Sequence, residues 1–343
     1  MVKIAKENLS ALFRMIAAKQ ELYLPVRIGG QANFAVWKED AEVDLEVLKT
    51  VKSPKDAFFP QSENLYNCYR EGKKIKIEPE ALKDQDFVVF GMRACDIKGV
   101  EVLDKVFLAE PVDSFYAARR KHGTIVAMAC HEPEETCFCK VFGVDCAEPV
   151  ADVATWMIDG DLYWKAISEK GEALTKTVES LLTVTEEEKV EAEKAAIRGI
   201  VEKLPYSDLS LEGWNGDVLM EKFESPIWEE LYKPCLACGT CTFVCPTCQC
   251  YDIKDYDTGH GIRRYRCWDS CMYSDFTMMA HGNNRTSQMQ RFRQRFMHKL
   301  VYFPANNGGM YSCVGCGRCV EKCPSSLNIV KVIKAFQNQG GEN

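Results

Sequence analysis

The sequence predicts two unlike parts: a mixed α/β domain over residues 1–204, followed by an α-helical, cysteine-rich domain over residues 205–343. Three observations predict this. Cysteine is unevenly spread, with six of 18 in residues 1–234 and twelve between Cys235 and Cys323. A strand-loop-helix-strand order runs from Phe87 to Ala129. A four-cysteine spacing occurs twice in the second part and is the chain's only internal repeat.

In the first part, Leu9, Leu12, Phe13 and Ile16 recur at helical spacing, so Asn8 to Lys19 is expected to be a helix. Tyr23–Arg27 and Asn33–Trp37 read as short extended pieces, and a polar stretch interrupted by Pro54 and Pro60 follows. The apolar run Phe87–Phe90, a turn at Gly91, and Ile97, Val100, Leu103 and Phe107 at helical spacing read as strand, loop and helix. Thr124–Ala129 is then a second strand, parallel to the first through a right-handed crossover. Residues 178–204 read as one long charged helix leading to the cysteine-rich part. Helical patterns also cover Gly216–Tyr232 and Leu327–Phe336.

Composition narrows the function classes. With 46% apolar and 27% charged residues the chain is an ordinary globular protein of two or three domains, and it has no apolar run near the ~20 residues that cross a bilayer. No export signal opens it, so the expected compartment is the cytoplasm. A formal charge of -7 argues against a nucleic-acid binder. In a reducing compartment, 18 cysteines point to metal ligands or redox groups rather than structural disulfides.

The repeated spacing is Cys235-x2-Cys238-x2-Cys241-x3-Cys245-Pro246 and Cys313-x2-Cys316-x2-Cys319-x3-Cys323-Pro324. This is the bacterial iron-sulfur run, in which three close thiolates reach one [4Fe-4S] cubane and the fourth ligates the neighbouring one. The expected ligands are Cys235, Cys238, Cys241 and Cys323 for one cluster, and Cys313, Cys316, Cys319 and Cys245 for the other. Paired zinc knuckles are the competing reading, and they do not account for the third and fourth cysteines at these offsets. The long insert from Pro246 to Ser312 ends in the helix-compatible Arg285–Leu300. Helices rather than a small sheet are therefore expected to hold the two loops, as an α-helical ferredoxin-like domain.

The segments Cys235-LACGTCTFVCPTCQCYDI, Arg266-CWDSCM, Arg291-FRQRFMHK and Cys313-VGCGRCVEKCP together resemble the A subunit of anaerobic sulfite reductases. They resemble equally the iron-sulfur beta subunits of cytoplasmic sulfhydrogenases and of flavin oxidoreductases linked to heterodisulfide reductase. The likeness extends to Gly91-MRACDIKGVEVLD, Cys130 and Cys137-Phe138-Cys139. It implies an iron-sulfur electron-transfer subunit of an oxygen-sensitive hetero-oligomer. Such a subunit passes single electrons between a flavin subunit that oxidises NAD(P)H and a terminal reductase or hydrogenase subunit. No G-x-G-x-x-G follows a strand here, so nicotinamide and flavin are expected on another chain.

Cys95 and Cys130 each follow a predicted parallel strand, and the carboxyl ends of such strands share a crevice. With Cys137 and Cys139 they form a candidate third cluster; buried small hydrophobes are the competing reading. Cys248, Cys250, Cys267 and Cys271 are a further set that could bind metal, with shielding of the clusters the simpler reading, and Cys68 and Cys146 stay unassigned. Between Tyr251 and Ser312, nine Lys or Arg face five Asp. The arginines at 263, 264, 266, 285, 291, 293 and 295 read as a docking face for an acidic partner, as neutralisers of cluster charge, or as a solvated face. The alternative function is an oxidoreductase with its own flavin or small-substrate site at Gly91–Asp96. Asp96, His122, His131 and His260 are its acid-base candidates, none in a catalytic signature.

Overall fold

A computed structural model describes residues 1–339. Strands β1 (Val2–Ile4), β2 (Glu21–Ile28) and β3 (Gln31–Val36) flank helix α1 (Leu9–Ala17), and β4 (Ser62–Glu71) and β5 (Lys74–Pro79) form a hairpin. Then come β6 (Phe87–Met92), α2 (Ala94–Phe107), α3 (Ser114–His122), β7 (Gly123–Met128), β8 (Val153–Ile158), β9 (Asp161–Ala166), α4 (Glu169–Thr177), β10 (Thr183–Val184) and α5 (Glu188–Val201). Ten of these strands minus the β4–β5 hairpin make an eight-stranded mixed sheet in the order β10-β1-β9-β8-β7-β6-β2-β3. Its centre, β2, β6, β7 and β8, is parallel. Every residue of β6 and β7 is buried, which is why both read as unbroken apolar runs. Their carboxyl ends deliver Arg93 to Cys95 and Cys130 to the same edge of the sheet.

Two sequence expectations fail here. Residues 178–204 are not one helix: α4 ends at Thr177, Thr183–Val184 pairs with β1, and α5 starts at Glu188. The stretch around Pro54 is not a polar loop. It is a 3-10 turn, Pro54–Ala57, whose Lys55 is buried and is followed by the fully buried Phe58 and Phe59.

The cysteine-rich part begins with short helices, α6 (Leu219–Glu224) and α7 (Trp228–Leu231), where one helical pattern was expected. After the first cysteine motif and its one-turn helix α8 (Thr240–Phe243), the chain forms a hairpin of β11 (Tyr251–Asp257) and β12 (Ile262–Trp268). β12 adds to β4, so strands from both sides of residue 204 build a four-stranded antiparallel sheet, β11-β12-β4-β5. The helical expectation for the insert therefore fails over 251–283, where a second small strand pair also forms. It holds from Gln288 on: α9 (Gln288–Met297) starts at a Ser287–Gln290 capping box and runs through a π-helical turn, His298–Tyr302, into α10 (Phe303–Asn306). The second motif carries α11 (Arg318–Glu321), and α12 (Ile329–Gln339) closes the described chain. Trp228, Phe292, Phe296, Val332 and Ile333 bury fully between these helices, each worth roughly 1.5–3 kcal/mol of transfer free energy. No helix among the described residues is long and apolar enough to cross a membrane.

Candidate iron-sulfur centres

Both cysteine motifs fold alike. Gly239 takes φ +72° and opens α8, which carries Cys241; Gly317 takes φ +77° and opens α11, which carries Cys319. Only glycine visits this region freely, and it lets each loop curl its first three cysteines around one space. The fourth cysteine leaves its own loop. Cys235, Cys238, Cys241 and Cys323 line one cavity together with Arg295. Cys313, Cys316, Cys319 and Cys245 line a second one, with Arg295 and Lys299. Backbone N–H groups of Ala237 and Leu327 point at the sulfurs of Cys235 and Cys323, at 3.4 Å and 3.2 Å.

The donor set fits an iron-sulfur group, and the surrounding charge supports that fit. Lys55, Arg295 and Lys299 are 1%, 4% and 4% exposed, and among the described residues none has a carboxylate at ion-pair distance. Stranding a charge in the interior costs several kcal/mol unless an anion compensates it. The groups facing these cations are thiols. Burial pushes the Cys241 thiol up to about 11 and that of Cys316 up to about 12, and it raises Cys313 and Cys319 as well. As neutral thiols they would leave the cations unpaired, whereas thiolates bound to iron would supply the missing anion. No three His, Cys, Asp or Glu side chains among the described residues are placed to hold a single metal ion.

The N-terminal cysteines gather against the second motif. Gly315 accepts the Phe138 N–H at 2.9 Å, and a Cβ on Gly315 would sit 2.3 Å from the Phe138 carbonyl, so the two loops are in backbone contact. Cys130 and Cys139 face Cys146, and Cys137 lies beside Cys130 and Cys139. Cys95, at the start of α2, lies near Cys130 and Cys316, and burial raises its thiol. Cys146, unassigned from the sequence, thus joins the set: its carbonyl accepts the Cys130 N–H at 2.9 Å. Next to it, Arg318 holds Asp96 in a two-pronged ion pair of 2.7 Å and 3.0 Å, tying the second motif to α2.

Several candidates have other roles. Asp96 is 2% exposed and engaged by Arg318, so it is no open acid or base. His122 pairs with Asp86 at 2.7 Å on the surface. The docking face dissolves in part: Arg266 is buried between Glu63 and Asp113, Arg295 is buried among thiols, and Arg264 pairs with Asp255. Arg291 and Arg293 donate to backbone carbonyls of Met272, Arg285 and Phe223. Cys267 lies on β12 opposite Asp252, apart from the other thiols, and Cys68 lies on β4.

Of the buried cations, Arg295 is among the arginines read as neutralisers of cluster charge, whereas Lys55 and Lys299 escaped the sequence reading; for Lys299 a signal existed. Phe292, Arg295, Phe296, Lys299 and Leu300 share one helical stripe, so two cations sit on the apolar face.

Comparisons with known proteins agree with this chemistry. Residues 234–327 match the family described as 4Fe-4S dicluster domain. The chain is 34% identical over 339 residues to sulfhydrogenase 2 subunit beta of Pyrococcus furiosus, an alignment spanning 97% of this chain and 97% of that protein. No solved structure matches it.

Proposed function

The chain belongs to the family of the sulfhydrogenase beta subunits, and from that premise we propose that it relays electrons in a cytoplasmic, anaerobic hetero-oligomer. Its neighbours are a flavin subunit that oxidises NAD(P)H and a terminal reductase or hydrogenase subunit. The observation that carries this reading is the pair of adjacent cavities, each walled by three cysteines of one motif and the fourth of the other. Bound there, two [4Fe-4S] clusters would supply one-electron oxidation and reduction. The residues do the rest. Cys235, Cys238, Cys241 and Cys323 hold the first cluster, and Cys313, Cys316, Cys319 and Cys245 the second. Arg295, which faces Cys241 and Cys319, lies between the two quartets and offsets their charge.

A third cluster in the N-terminal region extends the relay. Cys130, Cys137 and Cys139 supply three ligands, and the fourth is Cys95 or Cys146. The sequence favours Cys95, which the fold sets towards Cys316; the structure adds Cys146, which faces Cys130 and Cys139. Substituting each of the two by alanine and counting iron separates them. The rival reading, a flavin or substrate site at Gly91–Asp96, is less favoured: the terminal nitrogens of Arg93 donate to the carbonyls of Leu45, Val47 and Ala129, and Asp96 is held by Arg318.

Anaerobic purification of the chain with its co-purifying subunits tests the relay. NAD(P)H should bleach the visible absorption only when the flavin subunit is present. Oxidation of NAD(P)H by the isolated chain would overturn the proposal.

A further inference from the structure

The thiols left over in the insert are not scattered. Cys248 follows Cys245 closely in sequence, and their thiols are neighbours in space. The thiols of Cys250 and Cys271 face one another, and Cys271 also lies near Cys248. Backbone pairing holds this arrangement: Cys250 and Cys271 bracket the open end of the β11–β12 hairpin, where the Asp269 N–H donates to the Cys250 carbonyl at 2.9 Å.

Into this group runs Lys55, brought from the N-terminal part by the Pro54–Ala57 turn. Its ammonium donates to the Cys248 carbonyl at 2.6 Å and lies 4.0 Å above the Trp268 ring. Neither partner carries a negative charge. The groups that face it are the sulfurs of Cys248, Cys245 and Cys250 and the cation of Lys299. Two ammonium groups within one buried pocket are costly unless anions lie near them. Cys245 belongs to the second ferredoxin quartet, and its charge also faces Lys299 and Arg295; the other two sulfurs facing Lys55 are those of Cys248 and Cys250.

We propose that Cys248, Cys250 and Cys271 hold an additional iron-sulfur cluster beside the second quartet, with Lys55 compensating its charge. Packing as small hydrophobes explains three buried thiols, but it leaves Lys55 facing two neutral thiols and sharing the charge of Cys245 with Lys299 and Arg295. A lone ion does not suit the spacing, since no three such side chains are placed to hold one. The cluster has three cysteine ligands: Cys267, the remaining thiol of the insert, lies beside Asp252, Lys254 and Asp269 instead. It flanks the second quartet through Cys248 and Cys245, as the N-terminal set does through Cys95 and Cys316, so the second quartet becomes a branch point with two outlets. The proposal concerns cluster content and does not depend on which partners the relay serves.

The test uses the full chain, reconstituted anaerobically. Cys248→Ala/Cys250→Ala/Cys271→Ala should hold roughly three to four iron atoms fewer than the wild type, with matching loss of acid-labile sulfide. The paramagnetic signals that Cys238→Ser and Cys316→Ser alter should persist in it, and Cys267→Ala should lose no iron. Unchanged iron in the triple variant, or zinc in place of the missing iron, overturns the proposal. If the triple variant loses all its iron by failing to fold, Cys271→Ser decides, because serine keeps the volume and can still ligate. It should shift the signal of a centre untouched by Cys238→Ser, Cys316→Ser and Cys137→Ser. No such separate signal overturns the proposal.

Discussion

Replacing Asp96 by asparagine should strand the guanidinium of Arg318, which is 1% exposed and ties the second cysteine motif to α2. In the wild type both prongs of the pair are short, 2.7 Å and 3.0 Å, and Nε donates to the Thr50 carbonyl at 3.0 Å. Removing one partner of a buried pair costs about 3–5 kcal/mol, because the other charge is left without compensation. Unfolding entropy of ~2.1 cal/mol/K per residue gives about 0.7 kcal/mol/K for a chain of 343 residues. The expected fall in melting temperature is therefore about 4–7 °C. The assay is circular dichroism melting under anaerobic conditions at one scan rate, with iron measured in each sample so that cluster loss is not mistaken for weaker folding. Asp96→Leu/Arg318→Met should recover most of the loss, since a buried pair replaced by apolar groups of similar size is close to neutral. A drop of under about 1 °C in Asp96→Asn, or a double variant as unstable as the single one, would refute the reasoning.

Three further outcomes are expected. Gly315→Ala places a Cβ 2.3 Å from the Phe138 carbonyl at φ +60°, so the Cys313–Cys316 turn should shift and the second cluster be lost, while the first, whose Cys323 lies beyond α11, keeps its own; iron per chain and the surviving paramagnetic signal check this. Lys299 donates to Thr247 at 2.8 Å and to the Cys245 sulfur at 3.5 Å, and its positive charge favours the reduced, more negative state of a neighbouring cluster. Lys299→Met should lower one midpoint potential by on the order of tens of millivolts, and a redox titration showing a rise would contradict it. Burial, with help from Lys299 and Arg285, lowers the pKa of His298 from 6.5 to about 4. Between those values the unfolded chain binds the extra proton, so stability falls as pH falls. Between pH 7 and pH 5 the wild type should lose about 2 kcal/mol more than His298→Gln. Parallel melting curves for the two proteins would exclude this titration.

What the sequence conveyed depended on where each signal was stored. β6, α2 and β7 were legible because a strand buried on both faces is a continuous apolar run and its helix shows a periodic face. The β11–β12 hairpin was not, because all seven residues of β11 are exposed and show no alternation. Its turn, with Gly259 and Gly261, was the signal to read. The break in residues 178–204 is set by the pairing of Val184 with Val2, a contact between distant segments. The same holds for the site. The eight motif cysteines declare themselves by local spacing. Cys146 meets Cys130 only once the sheet has formed, and Lys55 reaches Cys248 from almost two hundred residues away.

The crossing of the two motifs is tested most directly by paramagnetic resonance on four serine variants prepared anaerobically: Cys238→Ser, Cys323→Ser, Cys316→Ser and Cys245→Ser. Cys323→Ser should disturb the same centre as Cys238→Ser, and Cys245→Ser the same centre as Cys316→Ser. If Cys323→Ser instead disturbed the centre that Cys316→Ser disturbs, each motif would hold its own cluster and the interleaved account would be wrong.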